Sequence, residues 1–207
     1  MSRPHFLTLL LSAFILGGCH GGPEENPNTD NSRIVDPPPS LYIDDNYKKP
    51  QNAQFIDSPV EGLVYYSPSI AGKTDNEGNL QYVIDEKVSF YLGGIFLGEA
   101  MGKAIMTPED LTNHDGESSE LMTTQILQLL QTFDADADPT NGIQISESTH
   151  TGLLDLNLTS EIGDEEFLTD AELMAALHEL TNYSDWISVD AAHAHFELSK
   201  IEFNIEN

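Results

Sequence analysis

From Phe55 the chain alternates short runs of apolar and polar residues, interrupted every eight to ten residues by clusters of Gly, Asn, Asp and Pro. That period of two is the signature of half-buried β-strands joined by tight turns. Val60, Val64 and the Tyr65-Tyr66 pair read as one strand-like run, with Gly62 as a bulge or a close approach. Ala71–Thr74 is a short strand, and Asp75-Asn76-Glu77-Gly78-Asn79 is a turn in which Gly78 suits a positive φ. Leu80–Ile84 and Lys87–Leu92 follow, and Gly93-Gly94 turns the chain into Ile95–Leu97. Polar turns between so many short strands predict an antiparallel β-sandwich or barrel over Ser58 to Gly98.

Beyond that stretch the period changes. Thr107-Pro108 reads as an N-cap followed by a proline in the first helical position. Ser118 or Ser119 opens a longer helix to about Thr132, with Leu121, Met122, Ile126, Leu129 and Leu130 on one stripe. Ile143–Ile145 reads as a strand, and Thr149–Ser160 has mixed periodicity with no assignment. Thr169-Asp170-Ala171-Glu172 reads as a capped helix start, running to about Leu180, that buries Leu173, Met174 and Leu177. Trp186 packs on the core, and Ser188 or Asp190 caps a last helix, Ala191–Ser199, with Phe196 inward. The tail from Ile201 reads as an edge strand. The predicted fold is therefore mainly β with attached helices (α+β), a sandwich-like domain followed by a helical extension. Its expected core includes Val64, Tyr66, Leu80, Tyr82, Val88, Phe90, Leu97, Ile126, Leu129, Leu177 and Phe196.

The start of the chain is of another kind. Arg3 gives a positive end, Phe6–Leu16 an apolar run, and Gly17-Gly18 the small residues that precede a cleavage site, so residues 1–18 read as a signal peptide. The apolar run is shorter than the roughly 20 residues of a membrane span. Leu16-Gly17-Gly18-Cys19 resembles the lipobox of bacterial lipoproteins, which implies that Cys19 is lipidated and holds the mature chain at a membrane. His20 after the cysteine, by the same resemblance, implies the outer membrane. Residues 19–54 are rich in Pro, Asn, Gly and Asp, with Pro37-Pro38-Pro39 favouring an extended spacer. Residues 55–207 are then one domain.

A second resemblance lies inside that domain. The residues D-S-P-V-x-G-L-x-Y from Asp57, then G-x-T-D-x-x-G-N-L-x-Y from Gly72 and V-S-F-x-L-G-G-I-x-L-G from Val88, resemble a β-rich domain of bacterial surface lipoproteins and adhesin-like proteins. That domain is of the carboxypeptidase-regulatory or transthyretin-like kind. The resemblance implies a structural or adhesive module and brings no catalytic residue with it.

Charge narrows the partners. Eight basic residues stand against 35 acidic ones, a formal −27, which repels nucleic acid and anionic lipid surfaces and attracts divalent cations. Cys19 is the one cysteine, so no internal disulfide forms.

The best candidate for chemistry is the segment Phe133–Gly142, in which Asp134, Asp136 and Asp138 alternate and Asn141 follows. Hard cations such as Ca²⁺ take several oxygens, and alternating carboxylates on a curled loop supply them. The spacing matches the first ligand positions of an EF-hand but then departs from it: Pro139 takes the place of the glycine and Ile145 stands at the twelfth position. Against the Ca²⁺ reading stands a solvated turn in an acidic chain. His193 and His195 point apart on a helix, which disfavours a shared metal. His114, His150 and His178 are scattered, and no nucleophile elbow or phosphate loop is present. The expectation is a non-catalytic, lipid-anchored cell-envelope structural or adhesin-like module of the bacterial outer membrane. Its partners would be the membrane, through the anchor, and an envelope protein or extracellular surface. The alternatives are a calcium-binding surface interaction module and an envelope hydrolase or hydrolase accessory domain.

Overall fold

A computed structural model describes residues 48–111 and 119–205. The expected signal peptide, Cys19 and most of the expected spacer lie outside the described residues. The fold is mixed α+β, with nine strands and four α-helices among the described residues.

Four strands form an antiparallel sheet in the order β4 (Ala71–Lys73), β3 (Val64–Tyr66), β6 (Lys87–Leu92) and β7 (Ile95–Met101). A second sheet has the order β5 (Asn79–Tyr82), β1 (Gln51–Phe55) and β8 (Ile105–Met106), and the short β2 (Val60–Glu61) pairs with β9 (Ile143–Gln144). The β1–β8 and β2–β9 pairs are parallel, in contrast to the antiparallel hairpins read from the sequence. Phe55 of β1 and Phe90 of β6 meet with ring centroids 4.8 Å apart, so the two larger sheets share one core.

Local chemistry explains most boundaries. Asp75 accepts hydrogen bonds from the amides of Glu77 and Asn79, and Gly78 takes a φ of +72°, which closes the turn into β5. Gly62, at φ +85°, is where the chain leaves β2, the partner of β9, for β3 of the four-stranded sheet, so the expected single run is two strands in two sheets. A Cβ at Gly62 would lie 2.6 Å from the Ile145 carbonyl oxygen. Ordered structure begins before residue 55: Gln51–Gln54, expected to be spacer, lie in β1 and pair with Asn79–Tyr82.

One face of β3 is the reverse of the expectation. Tyr65 is buried, whereas Val64 is half-buried and Tyr66 is 52% exposed. Leu63 and Tyr65 are both apolar, as are Val64 and Tyr66, so alternation alone could not choose the inward pair. The other expected core residues are buried, apart from the half-buried Tyr82.

The helices follow their caps. α1 (Glu120–Thr132) starts at Ser119, whose hydroxyl accepts from the Met122 amide; α3 (Ala171–Leu180) starts at Asp170; α4 (Val189–Glu202) starts at Ser188. Thr107–Asp110 forms a capping box on a single 3-10 turn and no longer helix. Residues of the unassigned Thr149–Ser160 segment fall partly in α2 (Glu147–Gly152). Among the described residues the tail from Ile201 forms no strand: α4 runs through Glu202 and Phe203 caps it.

α1 is the hub. Ile126, Leu127, Leu129 and Leu130 are fully buried, each stabilising the fold by about 1.5–3 kcal/mol. Its polar residues Gln125, Gln128 and Gln131 are buried too. Gln125 bonds the Asp164 carbonyl and the Gly163 amide, each at 2.7 Å, and Gln128 donates to the Ile187 carbonyl at 2.6 Å. Gln131 reaches Asp57 and the Ala192 carbonyl. Buried amides partnered in this way bolt the helix to the segments that surround it.

Candidate functional site

The segment after α1 closes on itself. Asp134 bridges Ile145, the Ala135 amide donates to the Gln144 carbonyl at 3.0 Å, and the Gln144 amide donates to Asp134 Oδ1 at 2.9 Å. Within it, Asp136 Oδ1 accepts from the Asp138 amide at 3.0 Å and Oδ2 from Asn141 Nδ2 at 2.9 Å. Asp138 Oδ1 caps the 3-10 turn Pro139–Asn141, accepting from the Thr140 amide at 3.3 Å and its hydroxyl at 2.6 Å. These local donors already bond both oxygens of Asp136 and Oδ1 of Asp138.

Asp134 is the exception. It is 6% exposed, and its Oδ2 is buried without a hydrogen-bond partner. Burial raises its pKa to about 6; the Gln144 amide works against this, and the adjacent Asp136 charge adds to it. Asp136 itself is lowered, first by Asn141 and then by the Asp138 amide. Asp134 and Asp136 border a cavity of about 440 Å³, closed on the other sides by Ser146, Ser148 and Thr149 and by Thr181, Asn182 and Tyr183. Asp138 is directed elsewhere, and its charge acts on His195. Of the four residues proposed for Ca²⁺, the structure thus brings Asp136 to Asp134, uses Asn141 to hold Asp136, and separates Asp138. Among the described residues, no group of three or more His, Cys, Asp or Glu is placed to hold a metal ion.

Sequence reasoning passed over a buried network on the other side of α1. Asp57 is fully enclosed, and both its carboxyl oxygens accept from Gln131 Nε2, at 3.1 and 3.0 Å. Burial holds its pKa well above the ordinary carboxylate range, and Gln131 opposes the shift. Next to it Ser58 has a φ of +66°, and its hydroxyl lies 3.1 Å from His195 Nε2. A serine in strained backbone beside a histidine resembles a nucleophile and its base. The geometry argues against that role: His195 Nε2 also lies 3.0 Å from the Asp57 carbonyl oxygen, which only accepts. Nε2 therefore carries the proton, and Ser58 faces a donor. The one signal in the sequence for this network was that α1 carries no charged residue after Glu120, in a chain 21% charged.

His150 and His193 are held by structural hydrogen bonds. His150 Nε2 donates to the Gly62 carbonyl at 2.6 Å and Nδ1 accepts from the Gly93 amide at 3.2 Å, and burial lowers its pKa. His193 bonds Thr124 on α1 at 2.8 Å, so His193 and His195 engage different partners, as their helical spacing requires.

One surface feature stands out. On the side of the four-stranded sheet opposite Tyr65 and Phe90, Tyr66 meets Tyr91 edge-on with centroids 5.6 Å apart, and Tyr91 meets Phe96 at 5.3 Å. The Lys87–Glu99 pair lies on the same two strands, β6 and β7. None of the described helices is long and apolar enough to cross a membrane. The chain matches no protein-family model, no curated protein and no solved structure.

Proposed function

We propose that this chain is a non-catalytic, adhesin-like module of the bacterial cell envelope, tethered to the outer membrane through lipid on Cys19. The observation that carries the reading is the aromatic row Tyr66–Tyr91–Phe96 on the outer face of the four-stranded sheet. Aromatic side chains offer large contact area at low conformational cost and are enriched where proteins meet partners. The expected partner is an envelope protein or an extracellular surface. Nucleic acid is disfavoured by the formal charge of −27. Anchoring is tested by Cys19→Ser: the variant should leave the membrane fraction and lose the mass of the acyl groups. A variant that stays membrane-bound with unchanged mass removes the lipoprotein reading.

A second reading, calcium binding, is favoured by the unpartnered Asp134 Oδ2 beside Asp136. A hard cation would take the place of the proton on Asp134, and Asp136, hydroxyls and water would complete its shell. Millimolar Ca²⁺ should then raise the melting temperature, and Asp134→Asn should abolish the rise. Absence of any rise in the unaltered chain removes this reading.

A further inference from the structure

The four-stranded sheet differs in charge from the chain as a whole. β4, β3, β6 and β7 carry one acidic residue, Glu99, and two basic ones, Lys73 and Lys87, although acidic residues outnumber basic ones 35 to 8 overall. Register places all three on the outer face. On β6 the side chains of Val88, Phe90 and Leu92 are buried, so Lys87, Ser89 and Tyr91 point outwards. Glu99 stands opposite Ser89, Lys87 opposite Met101, and Lys73 opposite Val64, which is itself paired with Tyr91. Each of these charges is matched: Lys87 pairs with Glu99, and Lys73 with Glu147 of α2, at opposite ends of the face. At the rim the Glu86 carboxylate accepts from the hydroxyls of Ser67 and Ser69. Between the ion pairs lies the aromatic row, with Tyr66 52% and Met101 50% exposed. An apolar centre with a charged, paired rim is the anatomy of a protein–protein contact.

Building on the adhesive reading above, we infer that this face binds the same face of a second copy of the chain, so that adhesion joins cells that both carry it. Charge selects this occupant. A polycation would be drawn to the acidic surface elsewhere on the chain, and not to the face whose charges are already paired. A polyanion is held off by the formal −27. A second copy carries the same −27, but a two-fold arrangement brings the two neutral faces together and turns the acidic surfaces apart, where salt screens them beyond ~8 Å. The two sheets would pack about 10 Å apart with their aromatic side chains interleaved. At ~3.3 Å per residue and ~4.8 Å between strands the sheet offers about 300 Å² on each copy, well under the roughly 800 Å² of a standard interface. One contact is therefore weak, and adhesion requires many tethered copies acting together.

The test mixes red- and green-labelled bacterial cells and counts clusters that contain both colours. With the native chain on both populations, two-colour clusters should exceed those of cells lacking the chain by about tenfold or more. Native cells mixed with cells lacking the chain should give clusters of one colour. Native cells mixed with cells carrying Tyr66→Ser and Tyr91→Ser together should do the same, because the contact needs the face on both partners. Should that variant not melt like the native chain, Tyr66→Glu decides in its place: the position is half-exposed, and the change puts an unpaired carboxylate on the face. Two outcomes overturn the inference and leave the adhesive reading standing with another partner, such as an uncharged glycan. One is clusters that join native cells to cells lacking the chain, or to variant cells as often as to native ones. The other is native cells that adhere singly to a surface and form no clusters. Native cells that neither cluster nor adhere remove both.

Discussion

Replacing Gln131 with leucine isolates the contact that ties α1 to the start of the β-rich half. Leucine keeps most of the buried volume and the helix propensity, so the change is mainly one of hydrogen bonding. In the native chain Gln131 Nε2 lies 3.1 and 3.0 Å from the two oxygens of Asp57, a residue with no exposed surface, and 3.1 Å from the Ala192 carbonyl. Leucine leaves the Asp57 carboxyl enclosed with its donor gone. An unsatisfied buried polar group costs about 1–3 kcal/mol, and a carboxyl lies at the upper end, so the expected loss is about 2–3 kcal/mol. Against a total stability of about 5–15 kcal/mol this is a large fraction. In urea the midpoint should fall by roughly 1 M with an unchanged slope. Removing the acceptor as well, in Asp57→Leu combined with Gln131→Leu, should recover part of the loss, so the two changes should not add. A loss under about 0.5 kcal/mol for Gln131→Leu, or strict additivity with Asp57→Leu, would refute the reasoning.

Other changes test separate parts of the structure. Asp134 has a folded pKa raised to about 6, so its contribution is fully present below the ordinary carboxyl value and is lost as pH rises through about 6. Asp134→Asn should therefore match the native chain near pH 4 and, in metal-free buffer, exceed it by about 2 kcal/mol at pH 7, read from denaturation at both pH values. His150 shifts the other way: its folded pKa lies below 6.5, so stability held above that value is lost as pH falls towards the folded pKa. His150→Leu should cost about 2–3 kcal/mol at pH 7 by leaving the Gly62 carbonyl and the Gly93 amide unpaired, and should blunt the loss of stability below pH 6.5. Gly62→Ala should cost at least about 1–2 kcal/mol, read as a fall in melting temperature, because a methyl group there meets the Ile145 carbonyl in left-handed backbone.

What was legible in the sequence was what is decided locally. The Asp75–Asn79 turn and the caps Ser119, Asp170 and Ser188 each rest on a side chain that bonds an amide two to four residues away. What was not legible depends on partners far along the chain. Gln51–Phe55 becomes a strand only because Asn79–Tyr82 and Ile105–Met106 flank it. The inward face of β3 was hidden because both faces are apolar and aromatic. Gln125, Gln128 and Gln131 have the polarity of a solvated stripe and are buried because segments distant in sequence offer them carbonyls. The Asp loop shows the same division. The spacing of Asp134, Asp136 and Asp138 was visible, but local amides claim two of them, and the burial of the first is set by residues 146–149 and 181–183.

The central claim, an adhesin-like module that acts through the outer face of its four-stranded sheet, is tested most directly by an adherence assay. Cells carrying the native chain would be compared with cells carrying Tyr66→Ser and Tyr91→Ser together, at equal protein abundance and with unaltered core packing verified by melting. The half-exposed position of Tyr66 predicts a folded variant, and adherence should fall to the level of cells that lack the chain. Adherence equal to that of the native cells would contradict the claim.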